Sequence, residues 1–76
     1  VKEIERIATR KFGVTKAYAI SAGREVRVIA NANLVCDNEA ILIAREIAKD
    51  IQESVQYPGE IKVNVIRETR AIEMAR

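Results

Sequence analysis

The sequence contains no histidine and no tryptophan, and only one cysteine, one proline and three glycines among its 76 residues. Each shortage excludes something. Without histidine the chain lacks the commonest general base, the commonest metal ligand and the usual partner of a serine or cysteine nucleophile. A zinc site needs several thiolate or imidazole ligands, and Cys36 alone does not supply them. A single cysteine also forms no disulfide within the chain, the usage expected of a reducing cytosol. The aromatics are Phe12, Tyr18 and Tyr57, too few for a platform that stacks bases. No glycine-rich phosphate loop is present, since Ser21-Ala22-Gly23-Arg24 matches no such motif. No apolar run approaches the about 20 residues that cross a bilayer. The opening residues include Lys2, Glu3 and Glu5 and hold no apolar core of a signal peptide. A start without methionine, inside a helical pattern, reads as a piece of a longer chain.

What remains is a small folded composition. Residues 1–76 read as a single domain, and a domain near this size buries only about 60% of the surface its unfolded chain exposes. Apolar residues make up 49% and charged residues 32%, proportions of a folded rather than a disordered chain. The net charge is +2, from 13 basic and 11 acidic residues interspersed along the sequence. A dedicated nucleic-acid domain carries a clearer basic excess. Acidic pairs such as Glu46 with Asp50, and Asp37 with Glu39, fit a solvated helix face better than a magnesium site.

The periodicities give an α-β-β-α-β order. From Val1 to Phe12, the residues Ile4, Ile7, Ala8 and Phe12 recur at helical spacing, and Gly13 ends the segment. Thr15 to Ser21 and Arg24 to Ala30 alternate as strands. A three-residue loop, Ser21-Ala22-Gly23, would place Tyr18 opposite Val26 and Ile20 opposite Arg24, aligning the apolar residues of both strands on one face. Asn31 to Cys36 is a connector. Asp37 or Asn38 then caps a helix running to about Gln56, with Ala40, Ile41, Ala44, Ile47, Ala48, Ile51 and Val55 as its apolar stripe. Tyr57-Pro58-Gly59 stops it. In the last strand, from Glu60 to about Thr69, Ile61, Val63 and Val65 point one way and Lys62, Asn64 and Ile66 the other. The pattern leaves the course of residues 69–76 open, as strand or as a departure from the sheet.

The expected fold is α+β: a two-layer sandwich with a three-stranded, mainly antiparallel sheet and two helices on one face. The third strand lies either beside the first, the favoured arrangement, or parallel to the second. Phe12 and Tyr18 fall on inward stripes. Two surfaces stand out. The outward sheet face would carry Ala17, Ala19, Ser21, Ile29 and Ile66 beside Arg27, Lys62 and Asn64, a set that invites cover by another domain, a second copy or a partner. The basic residues Arg24, Arg27, Lys62, Arg67 and Arg70 are the candidate RNA contacts, although pairing with Glu25, Glu60 and Glu68 explains the arginines more simply. Arg67 shares the strand parity of Ile61, Val63 and Val65, so packing is its expected role.

Three segments also resemble a known family. Residues 16–28, beginning Lys16-Ala17-Tyr18-Ala19-Ile20, are similar to the block "AYAIxAGREhRV" near the end of bacterial ribonuclease Y. Residues 57–71 are similar to its closing "YPGxIKVxVIRETRA", and Ala44-Arg45-Glu46-Ile47-Ala48-Lys49 to its "ARxIAK" helix. Order and spacing agree across nearly the whole chain, while the connector from Ala30 to Asn38 departs from the blocks. The resemblance implies the C-terminal domain of a membrane-anchored endoribonuclease that starts messenger RNA decay. It implies a parent with a coiled coil, a KH domain for RNA and an HD domain that uses divalent metal. Neither the HD ligands nor the KH clamp GxxG is in this sequence, so no catalytic, cofactor or metal residue carries over. The expectation is therefore a non-catalytic interaction or assembly domain, cytoplasmic, on a parent held at the inner face of the membrane. Its partners would be the parent's HD domain, a second copy or RNA-decay proteins. An accessory RNA-binding role is the alternative.

Overall fold

A computed structural model describes residues 2–56 and 59–76. The elements follow the expected order: α1 (Lys2–Thr9), β1 (Val14–Ile20), β2 (Glu25–Asn31), α2 (Asp37–Ser54) and β3 (Lys62–Glu68). Both helices cover one face of the three-stranded sheet, and the two-layer α+β sandwich is as expected. Helix α2 ends at Ser54 with Val55 as its C-cap, short of the expected Gln56; of the expected stop, Tyr57 and Pro58 lie outside the described residues, and Gly59 has φ 94°.

The strand order is β1-β2-β3, with β1 antiparallel and β3 parallel to β2. The sheet is thus mixed, and the favoured placement of the third strand beside the first is corrected. The layer above β1 is already occupied by α1, whose Ile4, Ile7 and Ala8 are buried there. The second helix must lie alongside, over the far side of β2, and its strand emerges beneath it. Helix α2 has 18 residues, about 27 Å at 1.5 Å per residue. That is enough to return the chain along the strand and restart β3 at the end where β2 began, giving a parallel pair.

Central strand β2 alternates strictly. Val26, Val28 and Ala30 are fully buried under the helices, and the residues between them face the open side. With Val35 of the connector and Ile43, Ile47 and Ile51 of α2, they complete the core. Two expected core positions are corrected. Ile41 is 53% exposed, and Ile43 takes its place because positions 43, 47 and 51 follow the four-residue spacing along one side of the helix. Phe12 is 73% exposed. It would sit one turn beyond Ala8 if α1 continued, but the helix ends at Thr9 and the chain turns through Gly13 at φ 82°. A Cβ on Gly13 would collide with the Val35 side chain.

The hairpin holds the most consequential correction. Ser21, Ala22 and Gly23 all have positive φ, and Arg24 completes the loop by donating its N–H to Ser21 O at 3.1 Å. Four residues lie between Ile20 and its partner Glu25, one more than expected, so Ala19 faces Val26 and Tyr18 faces Arg27. A slip of one residue inverts the strand. Ala17 and Ala19 therefore turn toward the helices, and Tyr18 and Ile20 turn to the open side. A bulge at Thr15 between Val14 and Lys16 restores parity at the strand's start, so Val14 also packs on the core.

Candidate interaction surface

The open face of the sheet is built in three rows. Ile20, Glu25 and Lys62 form the first, Tyr18, Arg27 and Asn64 the second, and Lys16, Ile29 and Ile66 the third. Five residues expected there are present: Arg27, Ile29, Lys62, Asn64 and Ile66. Ala17 and Ala19 are not, for the register reason above. Their places are taken by Tyr18 and Ile20, which sequence reasoning assigned inward. The only sequence hint was the small size of the alanines, which suits a strand close beneath α1.

Glu25 organises the middle of this face. Its Oε2 accepts from Asn64 Nδ2 at 3.4 Å and from Arg27 Nη2 at 3.3 Å. The Asn64 hydrogen bond first, then the Arg27 bond and the positive charges of Lys62 and Arg27, hold its carboxyl below the ordinary carboxylate value. Arg27 Nε is buried and has no hydrogen-bond partner among the described residues. A buried guanidinium donor with no acceptor is unfavourable, and it is the one polar atom of this face so placed.

The five candidate RNA contacts do not converge. Arg24 and Lys62 meet at one end of the sheet, where the Lys62 N–H donates to Arg24 O at 2.8 Å. Arg27 lies at mid-face beside Glu25. Arg70 pairs with Glu68 at 3.0 Å. Arg67 is on the other side of the sheet. Its Nε donates to Val35 O at 2.7 Å, Nη1 to Asp37 Oδ1 at 2.8 Å and Nη2 to Ala32 O at 3.2 Å. These bonds tie the end of β3 to the connector before α2, the packing role expected for Arg67.

Cys36, not Asp37 or Asn38, caps α2. The Glu39 side chain accepts from the Cys36 N–H at 2.8 Å, and this bond lowers the Glu39 pKa. A further apolar patch escaped the sequence reading: Phe12 and Leu42 are exposed where the turn after α1, the connector residue Val35 and α2 come together. Among the described residues, no three His, Cys, Asp or Glu side chains are grouped so as to hold a metal ion. No helix among these residues is long and apolar enough to cross a membrane.

The sequence is 75% identical, over all 76 residues, to a protein named ribonuclease Y from Nitratiruptor sp., and those residues are 15% of that protein's length. The chain is a homologue of one segment of ribonuclease Y. Ribonuclease Y of Campylobacter hominis is 70% identical over the same 76 residues, again 15% of its length, and that of Helicobacter hepaticus 66% identical over 14% of its length. The chain thus spans about a seventh of the ribonucleases Y it matches. No family model matches the chain. No solved structure matches it.

Proposed function

We propose that this chain is the C-terminal, non-catalytic interaction domain of a ribonuclease Y, and that the open sheet face docks it onto the catalytic HD domain of the same protein. The observation that carries this reading is the uncovered face itself. Tyr18, Ile20, Ile29 and Ile66 lie there around the unbonded Arg27 Nε. A docked domain would shield these apolar side chains from water. By the family resemblance, the parent is a membrane-anchored endoribonuclease that starts messenger RNA decay, with divalent metal held in its HD domain. This domain would lie in the cytoplasm and would meet RNA only through the parent.

The test is to add the 76-residue chain to a ribonuclease Y lacking it, and to measure binding by calorimetry with wild type and with Ile29→Asp and Ile66→Asp. Saturable binding that both aspartates weaken, with the fold retained by circular dichroism, supports the reading. Equal binding by all three, or none by wild type, sinks it. A parallel titration into single-stranded RNA at two salt concentrations checks the accessory RNA role. Binding that falls steeply with salt and depends on Arg24, Arg27 and Lys62 would replace the docking reading.

A further inference from the structure

The two edges of the sheet are treated differently. On β1 the Thr15 bulge breaks the ladder, and the Glu5 carboxylate of α1 accepts the Ala19 N–H at 2.9 Å. Bulges and side chains bonded to free main-chain groups keep an edge from pairing with another strand. Strand β3 has neither protection. The Lys62 N–H donates to Arg24 O, and the Ala32 N–H donates to Glu68 O at 3.0 Å. These bonds show that the even-numbered residues of β3 bond to β2, so the N–H and C=O groups of Val63, Val65 and Arg67 point to the free edge. Among the described residues, no side chain is bonded to those groups.

The charges along this edge have an order of their own. Lys62, Asn64, Ile66 and Glu68 share one side of the strand, and the charges at its two ends have opposite sign about Val65. We infer that a second copy of this chain pairs here, β3 against β3 and antiparallel, about a two-fold axis at Val65. In that register Lys62 faces the second copy's Glu68, and the same pair recurs on the other side of the axis. Val65 meets its own counterpart, and Val63 and Arg67 exchange main-chain bonds. Moving the axis to Asn64 would set Lys62 against Ile66, and moving it to Ile66 would set Asn64 against Glu68, so either move breaks both ion pairs. Opposite charges directly across favour a pairing, so the sequence selects one register among its neighbours. Within one chain, Glu68 is paired with Arg70 and remains partly exposed, open to a second cation. The two three-stranded sheets would become one of six strands, with both open faces left free. The inference therefore goes beyond the docking reading, using a different surface and a different partner.

The test is analytical ultracentrifugation of the 76-residue chain from micromolar to millimolar concentration, with amide hydrogen exchange followed by NMR on the same samples. Wild type is expected to dimerise, and the amides of Val63, Val65 and Arg67 to become protected as concentration rises. Glu68→Lys sets lysine against Lys62 and should weaken the dimer at least about tenfold, as should Lys62→Glu. The double variant Lys62→Glu/Glu68→Lys restores opposite charges and should recover it. A chain monomeric throughout, edge amides indifferent to concentration, or a double variant no better than the singles would overturn the inference. None of those outcomes bears on docking of the open face, which has its own assay.

Discussion

Replacing Arg67 by alanine removes the three hydrogen bonds that tie β3 to the connector. The bond to Val35 O is the most sheltered, and a charged hydrogen bond of that kind contributes about 1.5–3 kcal/mol. Asp37 is 84% exposed, so the ion pair adds at most about 1 kcal/mol. The bond to Ala32 O belongs with ordinary hydrogen bonds of about 0.5–1.5 kcal/mol. Allowing for water that re-enters at the freed carbonyls, the expected loss is about 2–4 kcal/mol. A domain of this length has a total stability of about 4–11 kcal/mol, so the change is a large part of the whole. At about 4–8 °C per kcal/mol, the melting temperature should fall by at least about 8 °C. Thermal unfolding followed by circular dichroism reads this directly. Arg67→Lys keeps the charge but loses the planar fork, and should fall between wild type and alanine. A drop of less than about 4 °C for Arg67→Ala would refute the reasoning, above all if the variant lost RNA binding while keeping its stability.

Two further predictions concern the core and the open face. Ile47→Ala should cost about 2–5 kcal/mol, because Ile47 is fully buried, whereas Ile41→Ala should stay within about 0.5 kcal/mol; comparable losses in urea melts would refute the observed stripe of α2. Because the folded-state pKa of Glu25 lies below its ordinary value of 4.5, its contribution is complete above that value and is lost as pH falls through the lower folded pKa. Glu25→Gln should therefore flatten the acid limb of the stability profile, and an unchanged limb would show that the Asn64 and Arg27 bonds do not form.

Much of the fold was legible in the residues themselves. The element order, the alternation in β2 and the parity of β3 follow from local periodicity, which acts within a few residues. So does the inward placement of Arg67, read from its parity with Val63 and Val65. The candidate face was legible on β2 and β3, where Arg27, Ile29, Lys62, Asn64 and Ile66 fell on the predicted side. It failed on β1, because period-two reasoning carries an error of one residue in a loop through the whole strand.

The sequence by itself determined the periods, the shortage of catalytic side chains and the likeness to ribonuclease Y, since each is carried by residue type and spacing alone. Tertiary structure decided the rest. The four-residue hairpin, with its left-handed residues, and the Thr15 bulge chose which side of β1 meets the core. Competition between α1 and α2 for the space above the sheet placed β3 beside β2. The protected edge of β1 and the open edge of β3 exist only once Glu5 reaches Ala19 and α2 returns the chain. Such outcomes depend on contacts between segments distant in sequence, which no local pattern of side chains encodes.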